Sequence, residues 1–327
     1  MDKFLRVNMT TKELKTEAVP EKYAALGGRG LTSQFVLDEV PATCEPLGPF
    51  NKLIFAPGLL SGTNAPSSGR MSVGGKSPLT GGIKESNSGG TPSQKLANLG
   101  YKAVVIEGQA AAGELYLLKL TPAGAELLPA DYLAGVGGYE TVRVLQEKYG
   151  KKTAVIFIGP AGEMQMPSAG IGASNIEGLG DRYFGRGGLG AVMGSKGLKA
   201  IVIDAPKTFD VPVKDKERFM AASKKFAKML LDHPVTGQGL PAYGTNVLMN
   251  IINEAGTLPT RNFTRGRFDD ANLVGGESLS EACNARGGKA THACHPGANW
   301  LWMGLSTVVH GAAPQNSGLD HVALERL

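Results

Sequence analysis

The chain has 327 residues, of which 42% are hydrophobic and 19% charged, and its formal net charge is +5 at pH 7. This composition excludes an intrinsically disordered chain, and the sequence holds no apolar run of about 18 residues or more, the length that a membrane-spanning helix needs. With few aromatic residues and no dense run of lysine or arginine, the sequence does not predict nucleic-acid binding. Glycine is the one unusual count, at 46 residues, or about twice its average usage.

The predicted elements begin with a hairpin, in which the strands KFLRVNM and LKTEAV flank a TTKE turn. A short helix over EKYAALGG is predicted to end at Gly27 and Gly28, and a second helix over LTSQFVLDEV to end before Pro41. The run NKLIFAPG predicts a buried strand. Residues 59–91 are rich in Gly, Ser and Pro, and their length predicts a long functional loop.

Further along, the pattern predicts a helix, a glycine stop and a strand over residues 95–108, then two strands, a helix over GYETVRVLQEKYG and a strand over KTAVIFIG. Residues 100–107, GYKAVVIE, are nearly repeated as GLKAIVID at 197–204, with five of eight positions identical. Both segments follow a glycine-rich block, which predicts a duplicated unit with two glycine loops around one ligand. From Val213 the pattern turns helical, so we expect domains over residues 1–210 and 211–327.

The glycine loops carry arginines, at Arg29, Arg70, Arg182 and Arg186. Glycine lets backbone N–H groups converge on an anion and arginine adds bidentate phosphate recognition, so the loops favour an anionic ligand; the competing interpretation is solvated surface loops. GRGGLG at 185–190 also fits the dinucleotide pattern G-x-G-x-x-G. That pattern needs a strand before it and a helix after it, and the sequence predicts neither. A nicotinamide dehydrogenase is therefore only the third alternative, and it requires a helix starting at Gly188.

The chain resembles the tungsten- or molybdenum-dependent aldehyde ferredoxin oxidoreductases, from its N-terminus to about Pro296. The resemblance rests on motifs in family order: LGGRGLTS, NKLIFAPGLLSGTNAPSSGRMSVGGKSPLTGG, ESNSGG, RGGLGAVMGSKGLKAIVI, YGTN with NEAGTLPTRNF, and GGKATHACHPG. It implies an α+β fold. The pyranopterin-binding N-terminal domain would consist of two intertwined β-rich repeats with flanking helices, followed by the start of an α-helical domain.

The resemblance also implies the cofactors: tungsten or molybdenum held by two pyranopterins, a [4Fe–4S] cluster, and a magnesium ion shared by the two pterin phosphates. Asn87 matches the asparagine near that magnesium, and Arg70 matches an arginine between pterin and cluster. The remaining matches are to pterin-contacting loops, at Gly89, Gly90, Arg182, Arg186, Gly187, Gly188 and Leu189. From the residues alone, the alternative for Asn87 is an Asx turn before Gly89, and for Gly89 and Gly90 a tight turn.

The implied activity is that of a cytoplasmic oxidoreductase that converts an aldehyde to a carboxylate and passes electrons through the cluster to ferredoxin. The expected partners are ferredoxin and a small aldehyde, with no nucleic acid and no membrane; a homo-oligomer stays open and the catalytic residues are unknown. The alternative is a non-catalytic pterin-binding fragment or an inactive truncated relative.

The iron–sulfur loop GGKATHACHPG departs from the family. The family spacings need cysteines at 291 and 298, or at 298 and 302, but Thr291, Ala298 and Trp302 stand there. Only Cys294 is present, so we interpret the loop as a remnant. A zinc site of His292, Cys294, His295 and His310 matches no usual spacing. Because the sequence also leaves the family pattern after Ala298, we expect a reading-frame disturbance, a C-terminally truncated product, and a chain that is inactive alone.

Overall fold

The structure, a computed structural model, describes residues 1–205 and 211–285. The chain divides into two compact units, and the division follows Lys214. Within the described ranges, no helix is both long and apolar enough to cross a membrane.

The first unit is built from two six-stranded mixed sheets. The first sheet has the order β2-β1-β6-β3-β4-β5 and the second has the order β8-β7-β12-β9-β10-β11. The strands are β1 (Lys3–Asn8), β2 (Leu14–Ala18), β3 (Leu53–Pro57), β4 (Met71–Lys76), β5 (Ile83–Ser88), β6 (Tyr101–Glu107), β7 (Tyr116–Thr121), β8 (Gly124–Pro129), β9 (Ala154–Phe157), β10 (Ile171–Ala173), β11 (Arg182–Phe184) and β12 (Leu198–Ile203).

Five helices accompany these strands, and one short 3-10 turn precedes the long helix of each half. The helices are α1 (Gly28–Glu39), α2 (Pro92–Asn98), α3 (Gly138–Tyr149), α4 (Pro160–Glu163) and α5 (Leu189–Ser195), and the turns are Glu21–Tyr23 and Asp131–Leu133.

The two sheets are two copies of one topology. In each, a hairpin strand pairs in parallel with the last strand of the half, β1 with β6 and β7 with β12. That last strand pairs antiparallel with the strand after the long helix, β3 or β9. The repeated segments GYKAVVIE and GLKAIVID form β6 and β12, so the duplication predicted from them is confirmed. The α+β class with two β-rich repeats is confirmed as well.

Burial on both faces explains why β6 and β12 read as continuous apolar runs. In β6, Val104 and Ile106 face a core shared by the two sheets, whereas Ala103 and Val105 lie on the other face, in the cluster with Phe35 of α1. The second sheet likewise has an outer cluster that includes residues of α3. The halves interlock through their short helices: α2 contacts β9 and β12, and α5 contacts β3 and β4.

Two predicted elements are wrong. The stretch 59–91 is not one long loop, because it contains β4 and β5. All six residues of β4 are buried between β3 and β5, so tertiary packing forms a strand from a segment rich in serine and glycine. Gly27 and Gly28 do not end a helix either. They begin α1, with Gly27 as the N-cap and Gly28 at φ +49°, while only a 3-10 turn precedes them.

The second unit is helical, as its sequence pattern predicts. Its elements are α6 (Lys216–Asp232), a π-helical turn (Val235–Gly239), α7 (Leu240–Tyr243), a 3-10 helix (Gly244–Leu248), α8 (Met249–Glu254), a 3-10 turn (Ala271–Leu273) and α9 (Gly276–Ala285). Asp215 caps α6, since its carboxylate accepts a hydrogen bond from the Arg218 backbone N–H at 2.9 Å. A small buried cluster of Met249, Leu258 and Ala271 forms the described part of its core.

Candidate functional site

Five of the residues predicted from the sequence meet where the two sheets approach each other, at the edge strands β5 and β11. They are Arg70, Asn87, Gly89, Gly90 and Arg182. Arg70 stands just before β4, and Asn87, Gly89 and Gly90 lie at the end of β5 or just after it. Arg182 opens β11 in the other half of the unit. The site is therefore assembled from both halves.

The antiparallel pairing of β4 with β5 places Arg70 beside Asn87. The register sets Ser72 opposite Asn87 and Met71 opposite Ser88, which brings Arg70 level with Gly89. The Arg70 Nε–H donates to Asn87 Oδ1, and Nη2 donates to the Asn87 carbonyl oxygen at 3.3 Å. The side-chain oxygen of Asn87 therefore already accepts from Arg70.

The Gly89–Gly90 turn contacts both arginines. A methyl group placed on Gly89 would lie 3.7 Å from Arg70 Nη1, and one on Gly90 would lie 3.5 Å from Arg182 Cγ and 2.5 Å from the Ser174 carbonyl oxygen. Gly90 has φ +101°, a region that favours glycine. The next residue fastens the turn to the second sheet, since the Thr91 N–H donates to the Ser174 carbonyl at 3.0 Å. We call Arg70, Gly89, Gly90 and Arg182 the arginine–glycine surface.

Two arginines meet at the arginine–glycine surface, and Arg182 has Asp181 Oδ1 at 3.8 Å from its Nε. The Arg70 side chain is exposed, but partial burial of its guanidinium lowers its pKa, the positive charge of Arg182 lowers it further, and the Glu85 carboxylate opposes both effects. Arginine stays protonated in proteins even so. Two neighbouring arginines beside a glycine turn are suited to an anion with several oxygens, such as a phosphate.

The second predicted loop runs along the same edge. The Arg186 N–H donates to Ser86 Oγ of β5 at 3.1 Å. Gly187, at φ +85°, lies under the aliphatic chain of Lys84, whose Cγ would be 2.3 Å from an added methyl group. Gly188 has φ +71° and packs so closely on the Pro167 carbonyl that an added methyl would stand 1.8 Å from its oxygen. These contacts fix the loop against β5.

Leu189 differs from the other predicted residues. Its side chain is fully buried and belongs to the core shared by the two sheets. The structure therefore gives that side chain a packing contact, while the exposed Arg186 stands at the surface.

The expectation that neither a strand nor a helix flanks GRGGLG is wrong, since β11 ends at Phe184 and α5 begins at Leu189. The dinucleotide interpretation still fails on topology. It requires parallel strands joined by a crossover helix, whereas β11 pairs antiparallel with β10, and β12 follows α5 three positions away in the sheet.

Sequence reasoning missed four polar residues at this site, because residues 59–91 were predicted to be a loop. They are Ser72, Lys84, Glu85 and Ser86. The alternation in IKESNS was the available signal: Lys84 and Ser86 face the Arg186–Gly187 loop, while Glu85 and Asn87 lie on the side of Ser72.

The predicted iron–sulfur remnant, Cys294, lies outside the described residues. Among the residues that are described, no group of three or more His, Cys, Asp or Glu side chains is placed to hold a metal ion.

Two family models match this chain. Aldehyde ferredoxin oxidoreductase, N-terminal domain, matches residues 4–205, and aldehyde ferredoxin oxidoreductase, domains 2 & 3, matches residues 221–297. The first match covers more than half of the chain and ends with the second sheet. The chain belongs to the aldehyde ferredoxin oxidoreductase family. It is thus a relative of oxidoreductases.

Curated relatives include two tungsten-containing aldehyde ferredoxin oxidoreductases. The protein of Pyrococcus furiosus is 42% identical over 295 residues, covering 89% of this chain and 47% of its own length. The protein of Thermococcus kodakarensis is 43% identical over 281 residues, covering 85% and 45%. Among solved structures, the active-site complex BamBC of benzoyl coenzyme A reductase has a TM-score of 0.73 at 25% identity, covering 96% of this chain and 51% of that one. The chain spans about half the length of these relatives.

Proposed function

We propose that the arginine–glycine surface binds the phosphate-bearing part of a tungsten or molybdenum bis-pyranopterin, in an oxidoreductase that acts on aldehydes. One observation carries this proposal: arginines from the two repeats, Arg70 and Arg182, both lie beside the Gly89–Gly90 turn and are close enough for the charge of Arg182 to lower the pKa of Arg70. The relatives named above are tungsten-containing aldehyde ferredoxin oxidoreductases, which supports the cofactor class.

The residues present fit such a group. At Gly90 a side chain would collide with the Ser174 carbonyl, so glycine is what lets the turn pack on the second sheet and lie between the two arginines. Asn87 is the proposed neighbour of the magnesium ion. Both its Oδ1 and its backbone carbonyl oxygen accept from Arg70, so a magnesium ion would share these oxygens with the guanidinium or displace it. Arg186, Gly187 and Gly188 would form the wall of the site on the side of the second repeat.

When bound, the metal–dithiolene group supplies the two-electron chemistry of aldehyde oxidation. In the proposed reaction an aldehyde and water give a carboxylic acid, two protons and two electrons, and the electrons pass to ferredoxin. The role of this chain is to bind the cofactor's phosphates and to orient the cofactor. A reducing compartment, the cytoplasm, is part of the proposal, since three scattered cysteines do not predict a disulfide framework.

A [4Fe–4S] cluster does not fit the cysteines of this sequence. Such a cluster takes four thiolates, and the 327 residues contain three cysteines, Cys44, Cys283 and Cys294. We therefore derive no electron-transfer step through a cluster held by this chain alone. The same observation favours a second candidate function, a pterin-binding protein without catalysis of its own.

Metal and pterin analysis separates the two candidates. The chain is produced with tungstate and molybdate in the medium, and the purified protein is assayed for tungsten, molybdenum, iron and oxidised pterin. Metal and pterin together with about four irons per chain support the enzyme, and aldehyde-dependent reduction of ferredoxin is then expected. Pterin without iron supports the second candidate. Protein that carries no pterin contradicts both.

Substitution at the arginine–glycine surface tests the site itself. Arg182→Ala should lower the pterin content at least about tenfold, because hydrogen bonds to a charged group contribute about 1.5–3 kcal/mol each. The matched control is Arg143→Ala on α3, whose guanidinium is exposed and pairs with Glu140 and Glu147. Equal pterin content in the two variants would rule out Arg182 as a phosphate ligand.

A further inference from the structure

A chain of hydrogen bonds runs from the arginine–glycine surface to a carboxylate, and it involves two residues outside the proposed cofactor contacts. The Ser72 hydroxyl donates to Glu85 Oε1 at 2.6 Å. Asn87 Nδ2 donates to the same Ser72 oxygen at 3.1 Å. Asn87 Oδ1 accepts from Arg70 Nε. Glu85, Ser72, Asn87 and Arg70 thus form a relay in series.

The chemistry of each member fixes the direction of the relay. An ionised carboxylate only accepts, so the single Ser72 proton points toward Glu85. The Ser72 oxygen then has its lone pairs free for the Asn87 NH₂ group. Because the Asn87 NH₂ group faces Ser72, the amide oxygen of Asn87 faces Arg70, whose guanidinium can only donate hydrogen bonds. The charge on Glu85 therefore sets the orientation of the Asn87 amide and, through it, of the Arg70 guanidinium.

The interior half of the relay is rigid. Ser72 is 1% exposed, lies in the buried strand β4, and has the first turn of α1 over it, since a methyl on Gly28 would stand 3.6 Å from Ser72 Oγ. The outer half, Asn87 and Arg70, is exposed. An exposed arginine normally samples many rotamers, so a fixed acceptor at Nε reduces the entropy that Arg70 would lose when it binds an anion.

The backbone at Arg70 is anchored independently of the relay. Its carbonyl oxygen accepts from Ser93 Oγ of α2 at 2.8 Å and from the Gly58 N–H at 3.2 Å. A change in the relay should consequently act on the Arg70 side chain and leave the strand in place.

We propose that Glu85 and Ser72 are positioning residues for Arg70, which hold its guanidinium toward the Gly89–Gly90 turn through the amide of Asn87. The part of this inference that concerns cofactor binding rests on the proposed function; the part that concerns Arg70 orientation does not. Two of the three terminal groups of Arg70 are engaged at Asn87, and Nη1 is the group on the side of Gly89.

The test measures hydrogen exchange at Arg70, the residue of the relay farthest from Glu85. In protein labelled with ¹⁵N-arginine, the hydrogen-exchange rate of the Arg70 Nε–H is recorded for the wild type, Ser72→Ala, Glu85→Gln and the double variant. Loss of the relay should speed exchange about fivefold or more in Ser72→Ala, the effect of one lost hydrogen bond. Glu85→Gln should give a smaller increase, because glutamine can still accept from Ser72 but no longer imposes the direction of its proton.

The double variant distinguishes positioning from a general loosening of the strand. In a series relay the double variant exchanges at the rate of Ser72→Ala alone, whereas independent effects would multiply. The matched control is Ser86→Ala, on the opposite face of β5, which should leave the Arg70 exchange rate unchanged. If Ser72→Ala does not fold, the test is the comparison of the Arg70 Nε–H exchange rates of Glu85→Gln and Ser86→Ala. Unchanged Arg70 exchange in both relay variants, or a multiplicative double variant, overturns the inference.

Pterin content, measured on the same proteins, separates this inference from the proposed function. Faster Arg70 exchange with reduced pterin in Ser72→Ala supports both. Faster Arg70 exchange in Ser72→Ala, together with full pterin content in both Ser72→Ala and Arg70→Ala, supports the relay and overturns the role of Arg70 in cofactor binding.

Discussion

Buried charge at single residues is a recurrent feature of the first unit. Lys196 is fully buried between the two halves, where its Nζ donates to the Asn51 carbonyl at 2.6 Å and to the Gly108 carbonyl at 3.1 Å. Lys199 is also fully buried and pairs with Glu163. Carbonyl oxygens solvate an ammonium less well than water does, so such lysines carry a desolvation cost that depends on pH.

The pH dependence of stability should reveal Lys196. Burial lowers the pKa of its ammonium group from 10.5 to about 8. Between these two pH values the unfolded chain holds a proton that the folded chain has released, so the free energy of unfolding rises with pH. We expect the free energy of unfolding of the wild type, measured by urea denaturation relative to Lys196→Met, to increase by about 3 kcal/mol from pH 8 to pH 10.5. Below pH 8 the difference between the two proteins should not change with pH. Lys228→Met, at an exposed lysine, gives the baseline. If the difference in unfolding free energy between wild type and Lys196→Met did not change with pH, the pKa of Lys196 would not be lowered in the folded protein.

At the scale of elements, glycine determines how α5 packs. This helix places Gly190 and Gly194 against backbone: a methyl on Gly190 would stand 2.1 Å from the Gly170 carbonyl oxygen, and one on Gly194 would stand 1.9 Å from that of Gly162. The close approach joins α5 to α4 and to the residue before β10. It also holds the Gly187–Gly188 loop, since α5 begins directly after it.

Gly194→Ala should therefore destabilise the protein, although alanine usually stabilises a helix relative to glycine. Alanine in a helix interior is normally favoured over glycine by about 1 kcal/mol, but here the added methyl overlaps a carbonyl oxygen, and we expect a loss of about 2 kcal/mol or more. The measurement is the urea midpoint at unchanged m-value. The control is Gly137→Ala, where no atom lies within 4 Å of the added methyl; a Gly194→Ala protein as stable as the control would disprove the close packing.

At the scale of the whole molecule, the two repeats share one core and the second unit has its own. Every member of the large shared cluster lies between Leu5 and Ala205, and both sheets contribute to it. The cluster of the second unit, around Met249, is separate. Stability in the first unit thus depends on both repeats being present.

Truncation tests this organisation. Residues 1–214 should unfold in one cooperative transition by near-ultraviolet circular dichroism, at a urea midpoint close to that of the same unit in the full chain, because the shared core is complete in them. Residues 1–112 alone should not fold, since the inner face of their sheet would be exposed to water. A folded, cooperative 1–112 fragment would show that each repeat has a sufficient core of its own.

The sequence by itself determined the apolar strands, the long helices and the duplication. Those features follow from local periodicity, and β6 and β12 preserve the same residues because both are buried on two faces in the same place. The family motifs also predicted Arg70, Gly89, Gly90 and Arg182 as cofactor-binding residues, but their spacing in the sequence does not predict that they lie close together.

Only the tertiary structure decided the rest. It formed β4 and β5 from a segment with little strand propensity, because β3 and α1 were present to bury it. In the folded chain the Leu189 side chain packs in the core, and the sheet topology excludes a dinucleotide-binding fold. Folding also brings Arg70 and Arg182 close together from opposite repeats. It also joined Glu85 to Arg70 through two intermediate side chains. Contacts of this kind depend on strand register and sheet packing, which are set by residues far apart in the chain and leave no local signal in the sequence.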